Sequence, residues 1–185
     1  LGASTLTIVS ANIAKVDSAF ALFVTNAQST TELGNVLGVS DLASATANAT
    51  GMDSTAGGKL ATLANNYTKF TASGISGSFT ITSGLTPTQI ANLLSKVDFG
   101  TGGSSFLPPA SITIDATGMS GAQLSTIATS VASAGSSANQ AAVFDIVNLS
   151  LTDGQTAGEM AILLNSTLAN EATVDATGMD ASPLA

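Results

Sequence analysis

The chain has 185 residues, of which 44% are hydrophobic, enough to bury a sizeable core in one domain. Four lysines, no arginine and twelve acidic residues give a net charge of −8, so the basic surface that contacts nucleic-acid phosphates is missing. Cysteine and histidine are also missing, which excludes nucleophilic triads and thiol chemistry in their usual forms. No apolar run is long enough to span a bilayer.

The beginning of the chain predicts a strand followed by a helix. β-Branched residues in Leu6–Val9 favour a strand. Phe20, Phe23 and Val24 have helical spacing and predict a helix that begins around positions 17–18. Further along, alternation of polar and apolar residues predicts strands at 78–82, 111–115, 144–147 and 148–152.

Three later helices begin with capping-box signals, in which Ser or Thr stands three residues before Glu or Gln. The pairs are Ser29 with Glu32, Thr86 with Gln89, and Thr156 with Glu159. Five helical stripes are predicted to face the core: Leu33, Val36 and Leu37; Leu60, Leu63, Ala64 and Tyr67; Ile90, Leu93, Leu94 and Val97; Leu124, Ile127, Ala128 and Val131; and Met160, Leu163, Leu164 and Thr167.

One five-residue motif occurs three times. Asp-Ala-Thr-Gly-Met occupies 115–119 and 175–179, and 48–52 differs only in having Asn first. Each copy lies where a strand should turn into a helix, where glycine supplies positive φ and Asp or Asn accepts backbone hydrogen bonds. The motif is therefore predicted to be a structural turn, formed by Asn48, Gly51, Met52, Asp115, Gly118, Met119, Asp175, Gly178 and Met179.

A second repeat alternates with the motif. Residues 79–84 match 149–154, and the match extends through the following helix at a constant displacement of 70 residues. The chain is thus predicted to be a single array over 1–185. Its approximate units are 1–45, 46–76, 77–110, 111–143, 144–171 and an incomplete 172–185.

Alternating strands and helices predict an α/β fold with parallel strands and right-handed crossovers. Repetition at this period favours an open, solenoid-like array over a closed barrel, which typically needs about 250 residues. A doubly wound parallel sheet is the alternative, since the number of predicted elements would also suit it.

Calcium is the one cofactor that the residues suggest. Stacked units would bring Asp115 and Asp175 into equivalent places, with Asp53 and Asp180 nearby, and oxygen-rich turns can hold Ca²⁺. Neither the EF-hand loop nor the glycine-rich nonapeptide calcium repeat is present, however, so a structural turn is the favoured interpretation. The glycine-rich segment 100–105 lacks a phosphate-binding lysine. No carboxylate pair is indicated, and no enzymatic activity is expected.

Hydroxyl side chains could form a flat face on the sheet. Thr80, Thr82 and Thr113 suggest rows suited to a polysaccharide or ice surface. Ordinary alternation in a half-buried strand predicts the same pattern, so a half-buried strand without a binding role is the preferred interpretation.

Together, the Asp-Ala-Thr-Gly-Met motif and the unit Thr-Pro-Thr-Gln-Ile-Ala-Asn-Leu-Leu at 86–94 give the chain a family likeness. The chain resembles the repeat regions of very large bacterial cell-surface and secreted proteins, which are similarly rich in Ala, Thr, Ser, Gly and Asp. That resemblance implies a role in surface layers, adhesion or extracellular filaments, and no catalytic residue carries over from it.

The sequence therefore predicts a secreted or cell-surface structural protein that associates with other copies of itself or with adjoining repeats. The chain starts on one type of unit and stops soon after the third motif, which predicts an open apolar end that needs a cap or another copy. The alternative is an adhesin-type module that binds carbohydrate or a cell surface. Neither nucleic acid nor a membrane span is expected.

Overall fold

The computed structural model describes residues 20–39, 42–97, 110–133, 144–165, 172–175 and 177. These residues form a mixed α/β fold with five α-helices and eight strands. The elements are β1 (Phe20–Val24), α1 (Thr30–Leu37), β2 (Leu42–Asn48), α2 (Lys59–Asn65), β3 (Phe70–Ser76), β4 (Ser78–Ile81), α3 (Pro87–Leu94), β5 (Ser111–Asp115), α4 (Gly121–Ser133), β6 (Phe144–Val147), β7 (Leu149–Leu151), α5 (Ala157–Asn165) and β8 (Ala172–Val174).

The strands form three parallel sheets, none of them closed within the described ranges. Their orders are β1-β2-β3, β4-β5-β6 and β7-β8, so within each sheet consecutive strands lie side by side. Each helix contacts the next helix along the chain, from α1 to α5. The prediction of parallel strands in an open α/β fold is confirmed.

The chain passes from one sheet to the next through a single residue between two strands. Only Gly77 separates β3, which pairs with β2, from β4, which pairs with β5. In the same way only Asn148 separates β6, which pairs with β5, from β7, which pairs with β8. Both residues have positive φ, 93° at Gly77 and 55° at Asn148. We call these two positions the switch residues.

Local capping chemistry decides where the helices begin. The predicted capping boxes form at Ser29 and Thr86, and at Thr156 the backbone N–H donates to Glu159 Oε2 over 2.8 Å. A fourth pair was not predicted from the sequence: the Ser120 N–H donates to Gln123 Oε1 over 2.8 Å. Each pair satisfies N–H groups that the first helical turn leaves without a partner.

The helices and strands share one apolar core. The predicted stripes are buried in α1, α2, α3 and α4, which confirms most of the core-facing positions. Tyr67 does not extend the stripe of α2, because the helix ends at Asn65 and Tyr67 begins a short 3₁₀ helix. Leu164 is exposed rather than buried, and Thr167 lies outside the described residues.

The predicted helix around positions 20–24 is wrong. Residues Phe20–Val24 form β1, in which Leu22 and Val24 are buried while Phe23 is exposed. Apolar residues three and four apart fit helical spacing, but the pairing of β1 with β2 decides the outcome. The predicted strand at Leu6–Val9 lies outside the described residues.

Two strands, β2 and β3, were not predicted from the sequence. β2 is built almost entirely from Ala, Ser and Thr, and β3 contains Gly74 and a positive-φ residue, Ser73. Neither segment shows the run of β-branched or aromatic residues that signals a strand. Both become strands because they pair with each other in parallel.

Candidate functional site

The three motif copies share one local hydrogen bond. Thr50, Thr117 and Thr177 each donate a backbone N–H to the side-chain oxygen of the Asn or Asp two residues earlier. The N–H···Oδ1 separations are 3.0 Å at Asn48, 3.1 Å at Asp115 and 3.0 Å at Asp175. This is an Asx turn, in which a side chain imitates a backbone carbonyl.

The glycine and methionine of the motif complete the turn. Gly51 and Gly118 have φ of 71° and 68°, a conformation that side chains resist. Met52 is buried, and Met119 is partly buried against the core. Gly178 and Met179 lie outside the described residues.

Each of the first two motif copies contacts a switch residue. A Cβ atom placed on Gly77 would meet Asn48 Oδ1 and Thr50 Oγ1, and the Ser78 N–H donates to Thr50 Oγ1 over 3.0 Å. The motif is therefore in contact with the next strand, which the sequence interpretation did not foresee.

The second copy makes the corresponding contact through a side chain. Asn148 Nδ2 donates to Asp115 Oδ1 over 3.0 Å. We call each motif turn together with its switch residue a corner joint. Glycine and asparagine are among the residues that most readily adopt positive φ. Their presence at positions 77 and 148 was therefore the sequence signal that could have indicated the two switch residues.

Hydrogen bonds favour the charged form of Asp115. The bond from the Asn148 side chain, followed by those from Thr117, holds the pKa of Asp115 below its ordinary value against a smaller opposing effect of burial. Ionisation of this carboxyl is thereby linked to the corner joint.

Replacing Asn148 with glycine should lower the free energy of unfolding by about 0.5–1 kcal/mol at neutral pH. Glycine keeps the positive φ, so only the exposed hydrogen bond to Asp115 is lost. Since the folded-state pKa of Asp115 is lowered, this stabilisation exists above the unfolded-state pKa of about 4. It disappears as the pH falls through the folded-state pKa.

Urea unfolding of both proteins at neutral pH and well below the ordinary pKa of aspartate measures this dependence. Asn148→Ala is the matched comparison, because it adds the strain of positive φ on a side chain at every pH. A penalty for Asn148→Gly that is the same at both pH values would contradict the linkage to Asp115.

The calcium candidates do not form a cluster in the described part of the chain. Asp53 Oδ1 accepts the Lys59 N–H at 3.1 Å and Oδ2 accepts the Thr55 hydroxyl at 2.8 Å, contacts that lower the pKa of Asp53. Asp53 therefore supports the beginning of α2. Asp115 is the last residue of β5 and Asp175 follows β8, and these two strands belong to different sheets.

Within the described ranges, no group of three or more His, Cys, Asp or Glu residues could hold a metal ion. Asp180 lies outside those ranges.

Two lysine side chains connect segments that lie about 30 residues apart along the chain. Lys59 Nζ donates to Asn26 O and Oδ1 at 2.7 and 2.8 Å, while Asn26 Nδ2 donates to Gly51 O at 2.9 Å. Lys69 Nζ donates to Val39 O at 2.7 Å. The first corner joint is therefore also bonded to the loop that follows β1.

A groove lined mainly by hydroxyl side chains lies between α3 and α4. Its volume is about 240 Å³, and its lining consists of Ala91 and four hydroxyl side chains, Ser125, Thr126, Thr129 and Ser130. This lining supplies hydrogen-bonding groups but no acid, base or metal ligand.

Comparison of the chain with protein-family models, with curated proteins and with solved structures found no match. No helix among the described residues is both long and apolar enough to cross a membrane.

One face of the sheet carries hydroxyl groups. Ser78 pairs with Ser111, and Thr80 pairs with Thr113, which in turn pairs with Asp145. These side chains are exposed or half-buried, while the residues alternating with them are buried. Thr82 is not free in the same way, because its hydroxyl donates to Ser54 O over 3.1 Å.

Proposed function

We propose that this chain is an extracellular structural protein, built as an open strand–helix array, that self-associates into a filament or surface layer without catalysis. The sequential order of strands and helices supports an array. A doubly wound sheet would instead require the order of strands across the sheet to reverse direction. In each of the three described sheets, the strands follow chain order without a reversal.

The observation that carries the proposal is the position of exposed apolar side chains. The large hydrophobic residues exposed among the described residues are Phe23, Leu164 and Val174. They belong to β1, α5 and β8, which are the first strand, the last helix and the last strand of the described ranges. An array whose outer units expose apolar surface associates readily with further units.

Secretion or display at the cell surface is part of the proposal. A surface made mainly from Ser, Thr, Asn, Gly and Ala, with 9% charged residues, depends little on electrostatics for its solubility. Adjoining repeats or other copies of the chain are the proposed partners.

Size-exclusion chromatography with light scattering, combined with electron microscopy, tests the proposal. We expect concentration-dependent oligomers or filaments, and their dispersal by the double variant Phe23→Asp/Leu164→Asp. Both side chains are exposed, so the substitutions should leave the fold intact. A monodisperse wild-type monomer at high concentration would count against self-association.

The hydroxyl face supports a second candidate function, an adhesin-type module that binds carbohydrate. Thr80 and Thr113 lie side by side on the open face of the sheet, where hydroxyl groups can bind sugar hydroxyls. Binding of the dispersed double variant to a glycan array, lost on Thr80→Val/Thr113→Val, would favour this function. Absence of glycan binding by the folded variant would oppose it.

A further inference from the structure

One buried side-chain amide in the turn between β7 and α5 has a donor without an acceptor. Gln155 is 3% exposed, and its Oε1 accepts the Thr152 N–H over 3.0 Å. Its Nε2 is enclosed and has no hydrogen-bond partner among the described residues. Because a buried donor without an acceptor loses its hydration and gains nothing in return, Nε2 needs an acceptor other than a described protein group.

The repeat shows that this turn does not require an amide side chain. Gln155 corresponds to Leu85 at the displacement of 70 residues. Both residues end the same kind of turn, in which the Gln155 N–H donates to Thr152 O and the Leu85 N–H donates to Thr82 O. Leu85 is buried and apolar, so formation of the turn does not account for the Nε2 donor of Gln155.

Gln155 Nε2 lies against the first residue of α4. A Cβ atom placed on Gly121 would be 3.0 Å from Nε2. Apart from the neighbours of Gly121 along the chain and the backbone of α4, no other described atom lies within 4 Å of that point. Gly121 is half-buried, so the start of α4 is within reach of solvent.

The start of α4 presents further donors. The Gln123 N–H donates to Ser120 Oγ over 3.3 Å, and the Leu124 N–H donates to Ser120 O over 3.1 Å. The N–H groups of Gly121 and Ala122 precede these bonds, in the part of a helix where N–H groups have no partner within the helix. Donors from two elements therefore meet at Gly121, and none of them can accept a hydrogen bond from another.

We propose that Gln155 Nε2 and the N–H groups of Gly121 and Ala122 form a binding site for one ordered water molecule, here called the α4 water site. A water oxygen can accept one hydrogen bond from Nε2 and one from a first-turn N–H group, and its own hydrogens can bond to solvent. A larger anion fits less well, because Nε2 is enclosed and Glu159, bonded to Ser125, places a carboxylate beside α4.

The bound water connects α4 with the turn before α5. Gln123 connects α4 with the turn before α3 directly, because its Nε2 donates to Ser83 O over 3.2 Å and to Leu85 O over 2.6 Å. The start of α4 is thus bonded to one turn directly and to the other through water. This inference does not depend on self-association of the chain.

Nuclear magnetic resonance of the complete chain tests the α4 water site by comparing two side-chain amides in one sample. We expect dipolar cross-peaks between water and the Nε2 protons of Gln155, and none for Gln123, whose Nε2 is bonded to two carbonyls. Rotating-frame spectra distinguish such contacts from proton exchange by their sign. If the wild type assembles, the Phe23→Asp/Leu164→Asp variant replaces it, since neither position belongs to the site.

Gly121→Ala tests the location of the site. The added methyl group lies 3.0 Å from Gln155 Nε2 and closes the start of α4 to water, so the cross-peaks between Gln155 and water should be lost. Gly158→Ala is the matched control in α5, where an added Cβ atom has no neighbour within 4 Å, and it should leave them unchanged. Circular dichroism verifies that both variants are folded. Absence of the cross-peaks in the parent chain, or their retention in Gly121→Ala, would overturn the assignment.

Discussion

Replacing Gly77 with alanine should lower the free energy of unfolding by about 2–4 kcal/mol. A side chain at φ of 93° is strained by about 1–3 kcal/mol. The added Cβ atom would also meet Asn48 Oδ1 and Thr50 Oγ1 in the first corner joint, and overpacking of this kind costs about 1–3 kcal/mol. Urea denaturation followed by circular dichroism measures the change.

Gly34→Ala is the matched control for this prediction. Gly34 lies inside α1, where an added Cβ atom has no neighbour within 4 Å, so alanine should stabilise the fold by about 0.5–1 kcal/mol. Opposite signs for the two glycine substitutions are expected. A neutral Gly77→Ala substitution would mean that the switch residue is not constrained by the joint.

A double variant tests whether the two corner joints are interchangeable. Gly77→Asn combined with Asn48→Asp copies the pair that Asn148 and Asp115 form in the second joint. The Cβ atom of asparagine meets the same two oxygens as that of alanine, so the variant should still be destabilised. Its loss should be smaller than that of Gly77→Ala, because asparagine tolerates positive φ and can donate to the new carboxylate.

Replacing Ile114 with alanine should lower the free energy of unfolding by about 2–5 kcal/mol. Ile114 is completely buried in β5, which is paired on both sides by β4 and β6. The cavity has little room to collapse between two paired strands, so both transfer energy and packing are lost.

Thr113→Ala is the control on the same strand. Thr113 points to the open face of the sheet and is only half-buried, so its replacement should cost less than about 1 kcal/mol. Equal losses for the two substitutions, measured by urea denaturation, would contradict the assignment of one buried and one open face.

The corner joint accounts for the residue types that the motif combines. Asp or Asn fixes the turn through a local hydrogen bond, glycine supplies positive φ, and the turn then contacts the switch residue of the next strand. At Asp175 the same local turn forms and the pKa of Asp175 is lowered by its bonds to Thr177. The local hydrogen bond of the turn is therefore common to all three copies.

Local interactions are what the sequence by itself determined. Capping boxes such as Thr86 with Gln89 and the Asx turns involve residues two or three apart, so their spacing is visible directly. Apolar stripes in α3 and α4 were equally visible, because helical periodicity depends on neighbours within two turns.

Only the tertiary structure decided the rest. Phe20–Val24 and Leu42–Asn48 are strands because they pair with each other across a sequence distance of about 20 residues, and no local pattern reports such pairing. Gly77 and Asn148 acquire their role because the strands on either side of them bond to different partners. Likewise Leu164 carries the same helical signal as Leu94, yet Leu164 is exposed and Leu94 is buried, a difference that helical spacing does not report.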